Sequence, residues 1–93
     1  MHRLDVVDFE WDDLNETHCA AHGVWPEDLD DALTTGEYVM VRNRKGRTGS
    51  HLFIGSDRSG RCIAAAVVAT GHAGVWRPIS AWPCKPHEER HLR

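Results

Sequence analysis

The second half of the chain limits the possible folds more than any other feature. Four apolar segments, at residues 37–43, 50–56, 61–70 and 75–82, are separated by turns of six, four and four residues that each contain glycine. Connections this short cannot hold a crossover of about a dozen residues, so consecutive strands must pair antiparallel. The sequence therefore predicts a four-stranded meander with the most apolar segment, 61–70, at its centre. Pro78 in the last segment indicates an edge position or a bulge.

The beginning of the chain predicts a strand followed by a helix. Residues 4–11 alternate between polar and apolar side chains, which is typical of a strand. Asp12 or Asp13 can cap the helix that follows. Its end is predicted at about His22, because Gly23 supplies the left-handed residue that often terminates a helix.

Two further helices complete the predicted order. The segment "WPEDLDDALTTG" at 25–36 places Pro26 at the first helical position, acids in the first turn and Gly36 at the end. A short helix is expected to begin at Pro86. The order β-α-α-β-β-β-β-α predicts a single α+β domain over residues 1–93, with the two early helices packed on one face of the antiparallel sheet.

Composition and cysteine content favour a globular cytoplasmic protein. Hydrophobic residues make up 41% of the chain and charged residues 27%, which excludes a disordered protein. No apolar run reaches the roughly 18 residues of a membrane span, and the start lacks a signal-peptide core, so we expect no membrane association and a cytoplasmic location. Cys19, Cys62 and Cys84 are odd in number and form no CxxC pair, which predicts reduced, buried thiols.

The charges are strongly segregated along the chain. Residues 1–37 contain eleven acids and one base, a net charge of −10, whereas residues 38–93 contain ten bases and three acids, a net charge of +7. A bipolar surface of this kind can bring the basic half to an anionic partner. Alternatively, the two halves attract each other within the fold.

The first predicted helix carries two histidines four residues apart. Leu14, His18, Ala21 and His22 share one helical face, with Asn15 at its margin. Because two of these side chains are apolar, the face is expected to turn towards the sheet. Asn15, His18 and His22 then form a half-buried polar strip with a structural role. A binding or catalytic role stays open, but no metal is expected, because no glutamate follows His18 and a third ligand is lacking.

Five cations are candidates for contact with an anion. Arg42, Arg44, Lys45 and Arg47 lie at one strand end and in the turn after it. They could bind a nucleic-acid backbone, although a charged turn is also ordinary solvated surface. Arg77 lies inside a strand, where an arginine often has an anion or a carboxylate as its partner.

Three ring side chains complete the set of candidates. His51 opens a strand and is the best-placed lone general base, unless it is only a solvated histidine at a strand end. Trp76 and Trp82 are six residues apart, so a regular strand would place both on one face. That face would be either core or a platform for stacking bases.

Several short motifs occur together along nearly the whole chain. They are "FEWD" at 9–12, "HGV" at 22–24, the acidic "EDLDDAL", "HLFIG" at 51–55, "GRCIAAAV" at 60–67 and "RPISA" at 77–81. Through these motifs and their order, the sequence resembles the BrnT branch of ribonuclease toxins, which are similar in fold to RelE-type toxins.

The resemblance implies a metal-independent endoribonuclease that needs no cofactor and cleaves RNA by attack of a ribose 2′-hydroxyl on the adjacent phosphate. It also implies a cognate antitoxin, encoded by an adjacent gene, that neutralises the enzyme; self-association is left open. Arg77 matches the arginine on the family's last strand. In this hypothesis Arg77 and Lys85 stabilise the phosphate, His51 acts as acid or base, and the four turn cations hold the RNA backbone.

Two departures from the family lead to a second hypothesis. Trp82 and Glu89 occupy positions where the family usually has arginine. Loss of an arginine directed at a phosphate removes stabilisation of the transition state. The alternative is therefore a catalytically inactive member of the same fold that binds a protein or a nucleic acid.

Overall fold

The structure is a computed structural model that describes residues 5–92. Its elements, in chain order, are β1 (Asp8–Phe9), α1 (Asp13–Ala21), α2 (Pro26–Thr35), β2 (Tyr38–Arg42), β3 (His51–Ser56), β4 (Cys62–Ala69), β5 (Val75–Pro83), α3 (Pro86–Glu89) and a final 3-10 turn (Arg90–Leu92). The predicted α+β class is confirmed. Within the described residues, no helix has the length and apolar character needed to cross a membrane.

The five strands form one sheet in the order β1-β5-β4-β3-β2. Strands β2 to β5 pair antiparallel in sequence order, with β4 in the middle. β1 adds a parallel strand beside β5, where Phe9 lies opposite Trp76. The sheet is therefore mixed rather than purely antiparallel, because nearly the whole domain intervenes between β1 and β5 and allows them to run in the same direction.

A bulge interrupts the pairing of β5 with β4. Ala66 pairs with Ser80 and Val67 with Pro78, which leaves Ile79 without a partner on β4. Of the two alternatives that Pro78 indicated, the bulge is the one observed, since β5 lies between β1 and β4 and is not an edge strand.

The bulge also reverses the expectation for the two tryptophans of β5. Trp76 is buried in the main core, whereas Trp82 donates a hydrogen bond from Nε1 to Oε1 of Glu88 in α3, at 3.0 Å. One inserted residue shifts the alternation of side chains by one position, so residues six apart face opposite sides of the sheet. The prediction that Trp76 and Trp82 share one face is wrong.

The main core lies between the sheet and the two early helices. Cys19 of α1, and Leu29 and Ala32 of α2, are fully buried there together with Phe53 of β3. α2 approaches β3 closely at Gly55, where an added Cβ would lie 3.2 Å from Cβ of Ala32 and 3.0 Å from the ring of Phe53. A larger residue at this position would push the helix away from the strand.

α3 and the 3-10 turn pack on the other face of the sheet. Ile54 and Ala64 belong to this face by strand alternation and are completely buried. Glu88 holds the segment in place: it is 4% exposed, and its carboxylate accepts from the backbone N–H of Lys85 at 2.8 Å as well as from Trp82. Helices therefore cover parts of both faces.

α1 turns a different side towards the sheet from the one that its apolar residues indicated. Its buried residues are Asn15 and Cys19. The other side is exposed and comprises Leu14, His18, Ala21 and His22, and Leu14 is exposed by 79%. The interpretation of His18 and His22 as half-buried polar groups is therefore wrong.

Asn15 explains this orientation, because it connects α1 to the sheet. Its Nδ2 donates to the carbonyl oxygens of Glu10 and Pro78, each at 2.9 Å, and its Oδ1 accepts from the N–H of Asp12 at 2.7 Å. Asn15 is only 4% exposed. An apolar side chain at this position would leave these buried backbone groups without partners, so the amide is buried in preference to Leu14.

Two of the three cysteines form a disulfide. Cys62 and Cys84 are bonded, with their Cα atoms 5.3 Å apart, whereas Cys19 is free and buried. The prediction of reduced thiols is therefore wrong for Cys62 and Cys84. They lie next to the Ile63–Pro83 pair of the β4–β5 ladder, and the N–H of Cys84 donates to the carbonyl of Cys62 at 3.1 Å. The count of cysteines did not reveal this pair, because it depends on the register of two strands.

We expect Asn15→Ala to lower the free energy of unfolding by about 2–3 kcal/mol, because the substitution leaves buried carbonyl groups without donors. Urea unfolding followed by circular dichroism would measure the change. Thr34→Ala is the control: it also removes a side-chain bond to a backbone carbonyl, but an exposed one, and should change stability by less than about 0.5 kcal/mol. Equal effects would contradict a special role for Asn15.

In denaturant without reductant we expect one reactive thiol per chain, and three after reduction. In the folded protein Cys19 should resist alkylation, because it is buried and burial raises its pKa to about 11. Mass spectrometry after iodoacetamide treatment would count the labels. Three labels without reductant would contradict the disulfide. Cys62→Ser/Cys84→Ser should lower stability by about 3 kcal/mol, as expected for a loop of this length.

Candidate functional site

The segregated charges of the sequence are partly matched within the fold. Three arginines of the second half form ion pairs with acids of the first half: Arg58 with Asp31 at 3.1 Å, Arg61 with Asp28 at 3.5 Å, and Arg77 with Asp12 at 2.8 Å and Glu10 at 3.3 Å. For these arginines, the attraction between the two halves is internal to the molecule.

The cations of the β2–β3 connection behave differently. We call residues 42–49 the basic hairpin; its cations are Arg42, Arg44, Lys45 and Arg47, and all four are exposed. Residues 38–56 contain no acid. Among the described residues, none of the four cations forms an ion pair. This loop is therefore a concentrated, uncompensated positive charge.

The basic hairpin is held in shape by its own hydrogen bonds. Asn43 Nδ2 donates to the carbonyl of Thr48 at 2.8 Å, and the N–H of Asn43 donates to the carbonyl of Ser50 at 2.9 Å. Gly49 has a positive φ of 78° and passes so close to β4 that an added Cβ would lie 3.0 Å from the backbone nitrogen of Val67. Only glycine satisfies both conditions, so the loop is fixed against the sheet at this point.

A groove of about 480 Å³ lies beside the basic hairpin. Its walls come from three parts of the chain: Leu14, Asn15 and His18 of α1, Thr48 of the hairpin, and Arg77, Ile79 and Ser80 of β5. The bulge at Ile79 shapes the wall on β5. Arg77 lies on the opposite face of β5 from Trp76, so the groove opens away from the main core.

Arg77 enters the groove already paired with two carboxylates. Its side chain is 25% exposed, and the hydrogen bond that it donates to Asp12 contributes most to raising its pKa. The pKa of Asp12 is lowered in turn, chiefly by the N–H of Asn15 and then by Arg77. Arg77 therefore has a carboxylate partner, which is one of the two alternatives expected for an arginine inside a strand. The pairing reduces the positive charge that Arg77 presents to the groove.

His51 does not join Arg77. It pairs with Val67, and its ring lies 5.1 Å from that of Trp76, which places it on the face of the sheet that carries the main core. Its Nδ1 is 2.9 Å from Oγ of Ser50. Burial, followed by the charge of Arg42 beside it on β2, lowers the pKa of His51. His51 is therefore near the base of the hairpin, but on the other side from the groove.

Lys85 is also remote from the groove. It precedes α3 at the far end of β5, and about 20 Å of extended strand separates Arg77 from Pro83. Its side chain is exposed. The structure therefore does not bring together the three residues expected to carry the chemistry, Arg77, His51 and Lys85.

Sequence reasoning gave His18 a structural role and left a binding or catalytic role open, and the structure places His18 in the groove. The exposed side of α1 carries His18 and His22, whose ring centroids are 5.1 Å apart, and His18 lines the groove that also contains Arg77. The spacing of the two histidines was visible in the sequence. The position of Arg77 across the groove from His18 was not visible in the sequence, because it depends on the bulge in β5. In residues 5–92 no group of three His, Cys, Asp or Glu side chains is placed to hold a metal ion.

No protein-family model matches the chain, and comparisons with curated proteins and with solved structures give no match either. The resemblance to BrnT-type toxins therefore stays a prediction from the motifs of the sequence.

Asp12→Asn tests the environment of Arg77, since asparagine is an equally good helix cap but carries no charge. The folded pKa of Asp12 lies below its ordinary value of 3.8. Its contribution to stability is therefore complete above that value and is lost as the pH falls through the lower, folded pKa. The stability difference between wild type and variant should be constant near neutral pH and shrink in acid, as measured by urea unfolding across pH.

Asp13→Asn is the matched control, because Asp13 forms no ion pair with any described base. The difference in stability between Asp13→Asn and the wild type should change less with pH than the difference between Asp12→Asn and the wild type. Coincident pH profiles of the two variants would show that the pairing of Asp12 with Arg77 and Asn15 does not set the pH dependence.

Proposed function

We propose that the protein binds single-stranded RNA along the basic hairpin and is a ribonuclease toxin of the BrnT-like, RelE-like kind. The observation that carries the proposal is the set of four exposed cations without ion pairs, on a segment without acids, beside a groove that contains Arg77 and His18. Such cations attract phosphate groups, and the attraction requires no particular base sequence.

The groove supports a place for the scissile phosphate. Arg77 and the hydroxyl groups of Thr48 and Ser80 line it and can donate hydrogen bonds to phosphate oxygens. In the proposed reaction the 2′-hydroxyl loses its proton to a base and its oxygen forms a bond to phosphorus. The bond from phosphorus to the 5′-oxygen breaks, and that oxygen takes up a proton, which leaves a 2′,3′-cyclic phosphate and a 5′-hydroxyl. Positive charge around the phosphorane stabilises the transition state.

His18 takes the proton-transfer role that the sequence assigned to His51. Imidazole is the side chain that most often transfers protons in enzymes, and His18 is the histidine that lines the groove with Arg77. Lys85 and His51 have no part in this version of the chemistry because of their positions. Arg42 and Arg44 begin the cationic surface on which the RNA backbone would continue.

The resemblance supplies the biological setting of the proposal. A cognate antitoxin encoded by an adjacent gene would neutralise the protein, and the cytoplasm is the compartment in which it would meet RNA. No cofactor is required by this chemistry, which uses a hydroxyl of the substrate as nucleophile.

A second candidate is an RNA-binding member of the same fold without catalytic activity. It is favoured by one observation: Asp12 and Glu10 both lie within ion-pair distance of Arg77. Two carboxylates beside the groove oppose a second anion, so the free charge is concentrated on the hairpin rather than at the site of chemistry. Both candidates predict RNA binding, and only the first predicts cleavage.

We expect Arg44→Ala/Lys45→Ala/Arg47→Ala to weaken binding of a short single-stranded RNA at least about tenfold and to reduce the slope of log K against log salt by about 2, since each phosphate contact contributes about 0.7. Fluorescence anisotropy at several salt concentrations would measure both. The control Arg58→Ala/Lys85→Ala/Arg90→Ala removes the same charge elsewhere and should have a much smaller effect. Equal losses would mean that net charge alone attracts the RNA.

Cleavage separates the two candidates. Wild-type protein should cleave single-stranded RNA in EDTA, and His18→Gln should lower the rate by about 10²-fold or more without changing RNA affinity or melting temperature. His22→Gln is the control, since His22 is an exposed neighbour that does not line the groove. RNA binding without cleavage by the wild type would support the inactive module, and cleavage that survives His18→Gln would remove the proposed acid–base role.

A further inference from the structure

We propose that a second groove, between α1 and α2, docks an arginine- or lysine-bearing segment of a partner protein. The groove measures about 470 Å³, and its lining combines apolar side chains with two glutamates. Its lining residues are Glu16, Thr17 and Ala20 of α1, and Trp25, Pro26 and Glu27 at the start of α2.

A contribution to the stability of the fold does not explain why a tryptophan occupies position 25. Trp25 occupies the N-cap of α2 but its side chain makes no capping bond, and it is 57% exposed. Serine, threonine, aspartate or asparagine would cap the helix better, and a core tryptophan would be buried. An exposed tryptophan on the wall of a groove is suited to contact with another molecule, since tryptophan is enriched among the residues that dominate protein interfaces.

The charge of the groove selects a cation. Glu16 and Glu27 stand on its two sides, and neither forms an ion pair with a base in the described part of the chain. Residues 12–35 contain seven acids and no lysine or arginine. Burial, and then the charges of Asp8 and Glu27, raise the pKa of Asp30 nearby. Three of these seven acids, Asp12, Asp28 and Asp31, are paired with arginines from the second half of the chain. The negative charge that remains uncompensated within the described residues includes Glu16 and Glu27, which line the groove.

A guanidinium or ammonium group on a partner protein fits both properties at once. It can lie over the indole of Trp25 and donate hydrogen bonds to the carboxylate oxygens of Glu16 or Glu27. The same carboxylates would repel the phosphates of a nucleic acid. A wholly apolar peptide would leave both carboxylates close to its surface without partners.

The docking groove is separate from the RNA groove. At 100° per residue, Glu16 and Ala20 lie on the side of α1 away from Leu14 and His18, Thr17 lies between the two sides, and the two grooves share no lining residue. The inference therefore does not depend on RNA binding, and either can fail without the other.

The test uses the full chain and a hexapeptide of alternating arginine and glycine, with citrulline in place of arginine as the uncharged control peptide. Titration followed by NMR should show saturable binding that shifts the indole N–H signal of Trp25. Trp25→Ala and Glu16→Gln/Glu27→Gln should each weaken binding by at least about tenfold. Glu37→Gln/Glu89→Gln removes the same charge at residues outside the groove, one before β2 and one in α3, and should change affinity by less than about twofold.

Four results would overturn the inference. They are absence of saturable binding, equal weakening by the control variant, equal binding of the citrulline peptide, and self-association without peptide that is lost in Arg44→Ala/Lys45→Ala/Arg47→Ala. Equal weakening by the control variant would indicate attraction by net charge, and equal binding of the citrulline peptide would indicate a purely apolar groove. Self-association that is lost in the hairpin variant would indicate a second copy of this chain as the occupant. Circular dichroism would verify that each variant is folded.

Discussion

The hydrogen bonds of Asn15 at the bulge of β5 are the interaction on which the domain depends. A bulge leaves one residue outside the ladder, and the carbonyl of Pro78 beside it accepts from the Asn15 amide. The same amide holds the chain between β1 and α1 through Glu10 and Asp12. These contacts determine which side of α1 is buried and therefore which residues of α1 face Arg77 across the groove.

The order and type of the elements could be predicted because each depends on local signals. Pro26 and Gly36 begin and end α2, and the short glycine turns force β2 to β5 into a meander. The orientation of α1 could not be predicted by counting apolar residues. It depends on a bond between Asn15 and a residue 63 positions away. Likewise, the disulfide and the opposite directions of Trp76 and Trp82 depend on the register of β5 and on its inserted residue.

In the candidate site, too, the features that depend on local sequence could be predicted, and those that depend on long-range contacts could not. The four cations of the hairpin are neighbours in sequence, so their cluster was visible there. Whether each cation is free or paired depends on long-range contacts, and the structure separates Arg58, Arg61 and Arg77, which are paired, from the hairpin cations, which are not. The proposed chemistry changes accordingly: the histidine available to Arg77 is His18, and His51 lies on the other face of the sheet.

The attachment of Gly49 to β4 has a consequence for the energetics of binding. A charged tail that binds RNA must order its backbone when it binds, at a cost of about 1–2 kcal/mol for each residue fixed. In the basic hairpin, Asn43 and Gly49 have already ordered the backbone before any ligand arrives. Only the side chains of the cations lose freedom on binding. The loop can therefore retain more of its electrostatic attraction as affinity than a disordered segment of equal charge.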